Sequence, residues 1–129
     1  MTSIFIFFGH SKEDYGSIYE EEMLKRLLEW YPKYKGFEII NPADIYENIK
    51  QTREGAEDLK KGFWFIENKY YFPWIDKSDL VIVAKCWNDR SYRGRYTPGV
   101  LAEIEYAKKK GKKILEFGDE DEKLLCGLD

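Results

Sequence analysis

Glu103 is the ionisable residue of this 129-residue chain that is best placed to do chemistry. It comes early in a helix predicted over residues 99–110, after the clearest predicted strand, and it borders the apolar face of that helix. A carboxylate near the start of a helix is kept ionised by the helix dipole, and it can attack an anomeric carbon or stabilise the charge that develops as a glycosidic bond breaks. A solvated glutamate, or one paired with a nearby lysine, is the simpler interpretation of the same spacing.

A polar loop follows the first predicted strand. His10, Ser11 and Lys12 could hold a phosphate there through backbone N–H groups and side chains. An ordinary polar loop between a strand and a helix is the equal alternative.

A second loop, over residues 86–98, is basic and carries Trp87. Its guanidinium groups could clamp a phosphate, or they could simply be solvated. The arginines concerned are Arg90, Arg93 and Arg95. Trp87 and the aromatic residues from Phe63 to Trp74 could stack on a nucleobase, although most of the latter are expected in the core or at a subunit interface.

The elements that position these residues follow from the apolar pattern. Strands are predicted at residues 4–8, 37–40, 79–84 and 113–117, the last of these being the final strand of the chain. Helices are predicted at residues 17–31, over most of 62–75, and at 99–110, with a weakly helical stretch at 43–61.

Strands that alternate with helices at this spacing predict right-handed crossovers and a parallel sheet. We therefore expect a single α/β domain over residues 1–129. It should be three-layered and flavodoxin- or Rossmann-like, with a mainly parallel sheet of four or five strands and helices on both faces. Ligands bind such sheets at the carboxyl ends of the strands, which here means the loops at residues 9–15, 41–43 and 86–99.

Composition narrows the function classes. The net charge of −3 does not favour a nucleic-acid partner, because nucleic-acid binding needs a basic face. One histidine and two separated cysteines give no zinc-ligand spacing, so no metal site is expected. The sequence opens on an apolar strand with no basic leader, and its apolar runs are too short to span a bilayer, so a cytoplasmic protein is expected.

The segment from Thr97 to Leu115 resembles the signature of the nucleoside 2-deoxyribosyltransferase superfamily, which includes deoxynucleoside-monophosphate N-glycosidases. The signature is a glycine, a glutamate four residues on, an alanine four further, and Gly-Lys before a strand. The matching residues are Gly99, Glu103, Ala107, Gly111 and Lys112. A small residue and an aspartate before an apolar strand, here Ser78-Asp79, also fit, as does Asn41-Pro42 after the second strand.

The resemblance implies an N-glycosidase or deoxyribosyltransferase that acts on a nucleoside or nucleotide and needs neither metal nor organic cofactor. Glu103 would be the nucleophile that forms a glycosyl-enzyme intermediate. The substrate-binding residues would be Phe8, Gly9, His10, Ser11, Asn41, Trp87, Arg95, Thr97 and Gly99, with Thr97, Gly99 and Arg95 holding the 5′ end. The resemblance also implies a homodimer or larger homo-oligomer.

Two departures from the superfamily pattern concern the site. The second acidic residue usually found shortly before the aspartate-led strand is not in its place, so Asp76 or Tyr71 is expected to assist near the base or sugar hydroxyl. The glycine-rich phosphate loop after the first strand is replaced by His10-Ser11-Lys12.

The first strand and loop, Phe5 to Asp14, are also similar to those of TIR domains, and Asp79 to Glu103 can be laid on a later TIR segment. Some TIR domains cleave the nicotinamide glycosidic bond of NAD with a glutamate at this helix. A TIR-like NAD hydrolase is therefore the enzyme alternative, and a nucleotide-binding or sensing module without turnover is the non-enzyme alternative.

Overall fold

One five-stranded sheet organises the protein. In a computed structural model that describes residues 4–29, 36–88, 92–118 and 122–126, the strand order is β2-β1-β3-β4-β5. The strands are β1 (Ile4–Gly9), β2 (Phe37–Ile40), β3 (Leu80–Val83), β4 (Lys113–Phe117) and β5 (Glu122–Cys126). The first four pair in parallel, which confirms the predicted α/β fold with its mainly parallel sheet.

Six α-helices are described around this sheet. They are α1 (Ile18–Glu29), α2 (Pro42–Lys50), α3 (Arg53–Asp58), α4 (Phe63–Ile66), α5 (Phe72–Lys77) and α6 (Pro98–Lys109). A π-helical turn, Glu67–Tyr71, joins α4 to α5. None of the helices in the described part of the chain is long and apolar enough to cross a membrane.

Alternate residues of the strands build two cores, one on each face of the sheet. On one face Phe7, Val81 and Val83 pack against residues of α2, α5 and α6 and of the π-helical turn. On the other face Ile6, Phe8 and Ile82 pack against Met23 and Leu27 of α1. Strands buried on both faces read as continuous apolar runs, which is why β1 and β3 were recognisable in the sequence.

The prediction that residues 113–117 form the final strand is wrong. β5 follows β4 and pairs with it antiparallel, with a register shift at Ile114 and Leu115. It opens with the charged pair Glu122-Lys123, so it lacks the apolar run that marks a strand buried on both faces.

Candidate active site

A cavity of about 410 Å³ opens at the carboxyl ends of β1 and β3. Its walls come from the loop after β1, from α2, from residues 59–71 and from the start of α6. In this strand order β2 lies on one side of β1 and β3 on the other, so the order of the strands reverses between β1 and β3, and ligands bind parallel sheets at that point. The cavity therefore lies where the fold favours a ligand site.

Glu103 reaches this cavity from α6, as the sequence predicts. Its side chain is buried, with 3% of the residue exposed. Its Oε1 lies directly over Gly9 at the end of β1: a Cβ built on that glycine would come within 2.9 Å of it. Glu103 thus reaches across the strand ends and is not turned to bulk water.

Glu67 is the second acid of the cavity, and sequence analysis missed it. It is 4% exposed, and its carboxyl group is hydrogen-bonded to that of Glu103. The Oε1 atom of each glutamate is buried and makes no hydrogen bond within the described residues. One signal could have identified it: Glu67 is a carboxylate inside an aromatic helical segment, four residues before Tyr71 and therefore on the same face.

The two carboxyl groups change each other's protonation. Burial raises the pKa of Glu67 to about 7, although the hydrogen bond from Glu103 acts in the opposite direction. Burial raises the pKa of Glu103 well above its usual value, and the neighbouring Glu67 charge and hydrogen bond raise it further. At neutral pH the pair therefore retains at least one proton, which the two carboxyl groups share.

The π-helical turn presents Glu67 and Tyr71 to the cavity together. Within it the Phe72 N–H donates to the Glu67 carbonyl, an i→i+5 bond that widens the helix by one residue. Pro73, which has no N–H to continue the usual ladder, lies at the start of the next helix. Widened turns of this kind are frequent at functional sites.

Tyr71 lines the cavity, as expected, and is hydrogen-bonded to a second tyrosine, Tyr15, from the loop after β1. Burial raises the pKa of both hydroxyls, and the nearby charges of Glu67 and Glu103 raise them further. Both phenols therefore stay protonated and can act as neutral hydrogen-bond donors or acceptors beside the carboxyl pair.

His10 lines the cavity, but both nitrogens of its ring already have hydrogen-bond partners within the protein. Nδ1 donates to the Phe8 carbonyl at 2.9 Å, and Nε2 is 2.6 Å from a carboxylate oxygen of Glu20. Ser11 lies beside it with its hydroxyl accepting the Glu13 N–H at 3.1 Å. This loop is therefore held by its own hydrogen bonds, which is closer to the ordinary polar loop than to the phosphate site considered from the sequence.

Asn41 does not line the cavity. Its Oδ1 accepts the Ala43 N–H at 3.0 Å and so caps α2, and its side chain is hydrogen-bonded to Glu20. The structure gives Asn41 a role in joining α2 to α1 instead of the predicted substrate contact.

Asp76 is wrongly placed by the sequence prediction. It lies on α5, near the amino end of β3, where it is exposed and accepts a hydrogen bond from Tyr106 at 2.8 Å.

Phe8, predicted as a substrate-binding residue, does not line the cavity. Because side chains alternate along a strand, it points into the opposite core and stacks on His10 at a ring distance of 4.5 Å.

The basic loop over residues 86–98 contributes fewer side chains to the cavity than predicted. Trp87 packs against Phe117 and Tyr19, and with Arg93 it lines a separate hollow of about 430 Å³ near the end of β4. Arg95 is exposed beside the Tyr92 ring and does not line the cavity. Arg90 lies outside the described residues.

Thr97 and Gly99 do reach the cavity, at the start of α6. Thr97 is the N-cap residue, and its hydroxyl makes no capping hydrogen bond. The first N–H groups of a helix have no partner within it and carry its positive dipole end, so this rim suits an anionic group of a ligand. The carboxyl pair and this rim are two polar parts of the cavity.

No family is identified for this chain. Neither the protein-family models nor the curated proteins contain a match to it. No group of three or more histidine, cysteine, aspartate or glutamate residues in the described ranges could hold a metal ion.

Proposed function

We propose that this protein cleaves or transfers the N-glycosidic bond of a nucleoside or nucleotide, with Glu103 as nucleophile and Glu67 as its acid partner. The observation that carries the proposal is the pair of buried carboxyl groups, hydrogen-bonded to each other, at the floor of a cavity at the strand ends. Two like groups that share a proton give one acid and one nucleophile in the same site.

The reaction needs the shared proton to move. Glu67 delivers a proton to the leaving base as the bond from the anomeric carbon to nitrogen breaks, and a carboxylate oxygen of Glu103 bonds to that carbon. Water then cleaves the glycosyl ester, or a second base accepts the sugar. The first outcome is hydrolysis and the second is transfer.

The contact between the carboxyl groups favours this covalent route. An inverting pair needs a separation of roughly 6.5–9.5 Å to admit a water molecule between the acid and the base. The hydrogen bond between Glu67 and Glu103 brings their carboxyl groups closer than this, nearer to the roughly 5–5.5 Å of a retaining pair. Glu103 attacks the anomeric carbon from the face opposite to the base, and Glu67 protonates the base as it leaves.

The rest of the cavity suits the other parts of such a substrate. Phe63, Tyr46 and Tyr92 line it and offer aromatic faces to a base. The start of α6, with Thr97, offers N–H groups to the 5′ end. Phe63 and Trp64 are partly exposed at this side of the molecule, and we infer that they contribute to a homo-oligomer of a cytoplasmic protein.

Release of free base is the decisive test. The protein is incubated separately with 2′-deoxynucleosides, deoxynucleoside monophosphates and NAD, and the free base is measured by chromatography. Glu103→Gln should reduce turnover by at least about a thousandfold, because the carboxylate that bonds to the sugar is replaced by an amide that is a poor nucleophile. Glu105→Gln, an exposed position on the same helix, is the matched control and should keep turnover.

The outcomes separate the alternatives. Base released from deoxynucleosides or their monophosphates supports the proposal, and nicotinamide released only from NAD points to the TIR-like alternative. Saturable binding without any release points to a sensing module. Undiminished turnover in Glu103→Gln would remove the mechanism.

A further inference from the structure

A cluster of charged side chains lies beside the π-helical turn Glu67–Tyr71. Its centre is Asp58, the last residue of α3, which is only 2% exposed. Asp58 Oδ2 accepts hydrogen bonds from Lys69 Nζ at 2.6 Å and from the Tyr70 hydroxyl at 2.5 Å. Asp58 Oδ1 accepts a third from Lys61 Nζ at 3.0 Å. Both oxygens of this buried carboxylate therefore have donors, and the turn is tied to α3 through them.

The Asp58 cluster stays charged while the carboxyl pair titrates. The hydrogen bonds from Lys69 and Tyr70 hold the pKa of Asp58 well below its usual value. The hydrogen bonds that Lys69 makes to Asp58 and to Glu54, the latter at 3.0 Å, raise the pKa of the lysine. The attachment of the turn to α3 is therefore ionic around pH 7, where Glu67 changes its charge.

The turn carries two sets of side chains to two different places. Glu67 and Tyr71 line the cavity, while Lys69 and Tyr70 reach Asp58. The i→i+5 hydrogen bond of the turn gives it one residue more than an α-helical turn. Closing it to the α-helical form would rotate the residues on its two sides by about 100° relative to one another. A rotation of that size would break one set of contacts, so the widened turn is what lets both sets exist.

The Asp58 cluster is suited to fixing the register of this helical segment. Turns of the π type are rare, so one that persists needs contacts that an α-helical turn would not make. Buried ionic groups add little net stability compared with apolar groups of the same volume, and their best-attested role is to fix register. We therefore expect the cluster to decide which side chains of residues 63–77 face the cavity.

We propose that Asp58 is a positioning residue of the site. Through its two partners on the π-helical turn it keeps the Glu67 carboxyl group against that of Glu103. Asp58 does not line the cavity, so its effect on the reaction passes through Glu67. The inference rests on the proposed function for its effect on turnover, but the placement of Glu67 can be measured without any substrate.

The titration of Glu67 tests its placement. Carbon-13 NMR of protein labelled in the glutamate carboxyl groups follows each of them against pH, and the signal lost in Glu67→Gln is that of Glu67. In the wild type burial raises the pKa of Glu67 to about 7, so its midpoint should lie there. Asp58→Asn removes the charge that holds the turn, and the Glu67 carboxyl group should then move towards solvent. Its midpoint should fall by at least about one pH unit towards the ordinary value of 4.5.

A milder variant and a matched control separate placement from a general loss of stability. Tyr70→Phe removes one hydrogen bond to Asp58 and keeps the ring against the core, so it should shift the Glu67 midpoint in the same direction by less. Glu57→Gln breaks an exposed ion pair with Lys60 at 3.3 Å and should leave the midpoint unchanged. A thermal melt of each variant measures stability. An unchanged midpoint in both Asp58→Asn and Tyr70→Phe overturns the inference, whatever the loss in Tm, and Tyr70→Phe decides alone if Asp58→Asn does not fold.

Turnover keeps this inference distinct from the proposed function. In Asp58→Asn the release of base from 2′-deoxynucleosides should fall by about tenfold or more in kcat with little change in KM, because the acid is displaced while the walls that bind the substrate remain. A midpoint that shifts in the variants, with no base released by the wild type, overturns the proposed function alone. Base release by the wild type, with the midpoint and kcat unchanged in both variants, overturns the inference alone.

Discussion

The side chain of Glu103 explains why residue 9, at the end of β1, is a glycine. Its backbone is not in the left-handed region that favours glycine, so conformation does not explain it. The limited space explains it, because a Cβ at this position would lie 2.9 Å from Oε1 of Glu103 and 3.3 Å from a methyl group of Val83. The absent side chain of Gly9 is what lets the Glu103 carboxyl group lie over the strand ends.

Gly9→Ala should therefore reduce catalysis more than stability. The end of a glutamate side chain can move, so we expect a loss of only about 1 kcal/mol in the free energy of unfolding. Base release should fall by about tenfold or more, because small displacements of a reacting group are costly to the rate. Urea denaturation and steady-state kinetics measure the two effects. Full activity in Gly9→Ala would show that Glu103 need not occupy this position.

At the scale of single residues, the sequence predicted Glu103 as a site residue but not its partner Glu67. Glu103 borders an apolar helical face after a clear strand, so its position could be inferred. Glu67 lies in a segment whose helix widens at Glu67–Tyr71, and no periodicity of 3.6 residues describes that turn. The nearness of Asp76 to β3 in the sequence suggests a site residue, but α5 places it at the opposite end of the strand.

At the scale of elements, a chain of buried polar contacts joins the loop after β1 to α1 and α2. His10 bonds to Glu20 on α1, and Glu20 also accepts the Gly16 N–H at 3.1 Å. Burial acts to raise the pKa of Glu20, yet the bonds from His10, Gly16 and Asn41 lower it overall. The loop after β1, α1 and α2 are thus joined by one ionised carboxylate.

Asn41→Ala should weaken two elements at once. It removes the cap of α2 and leaves Glu20 with one donor fewer, so we expect a loss of about 1–2 kcal/mol in the free energy of unfolding. Thr52→Ala is the matched control, because Thr52 caps α3 through the Gly55 N–H at 2.9 Å and makes no second hydrogen bond of this kind within the described residues. It should lose about 1 kcal/mol. Equal losses in urea denaturation would argue against a structural role of the contact with Glu20.

Most of the helices and strands could be predicted because the sequence patterns that mark them are local. The apolar runs of β1 and β3 and the glycine and proline boundaries are visible in the chain. Two features were not: β5, which lacks a clear apolar run, and the direction of the loop after β3. Trp87 lies away from the cavity because its backbone N–H donates a hydrogen bond to the buried carboxylate of Asp14 at 2.9 Å. The two residues are 73 positions apart in the sequence.

For the whole molecule, the carboxyl pair should appear in the dependence of stability on pH. The pKa of Glu67 is about 7 in the folded state, above the ordinary value of 4.5. Between these values the folded state holds more protons than the unfolded state, so the free energy of unfolding falls as pH rises from about 4.5 to about 7. The pair therefore makes the fold less stable at neutral and alkaline pH than a neutral pair would.

Glu67→Gln should accordingly stabilise the protein at pH 8, by on the order of 2 kcal/mol, and should have little effect near pH 4, where the wild-type carboxyl is already neutral. Urea denaturation at both pH values measures this, with the exposed Glu105→Gln as the control that should show no such difference. A side chain kept only for structure would cost stability when it is replaced. A gain in stability together with a loss of base release would mean that the buried pair is retained for chemistry, whereas a loss of stability at pH 8 would make the pair structural.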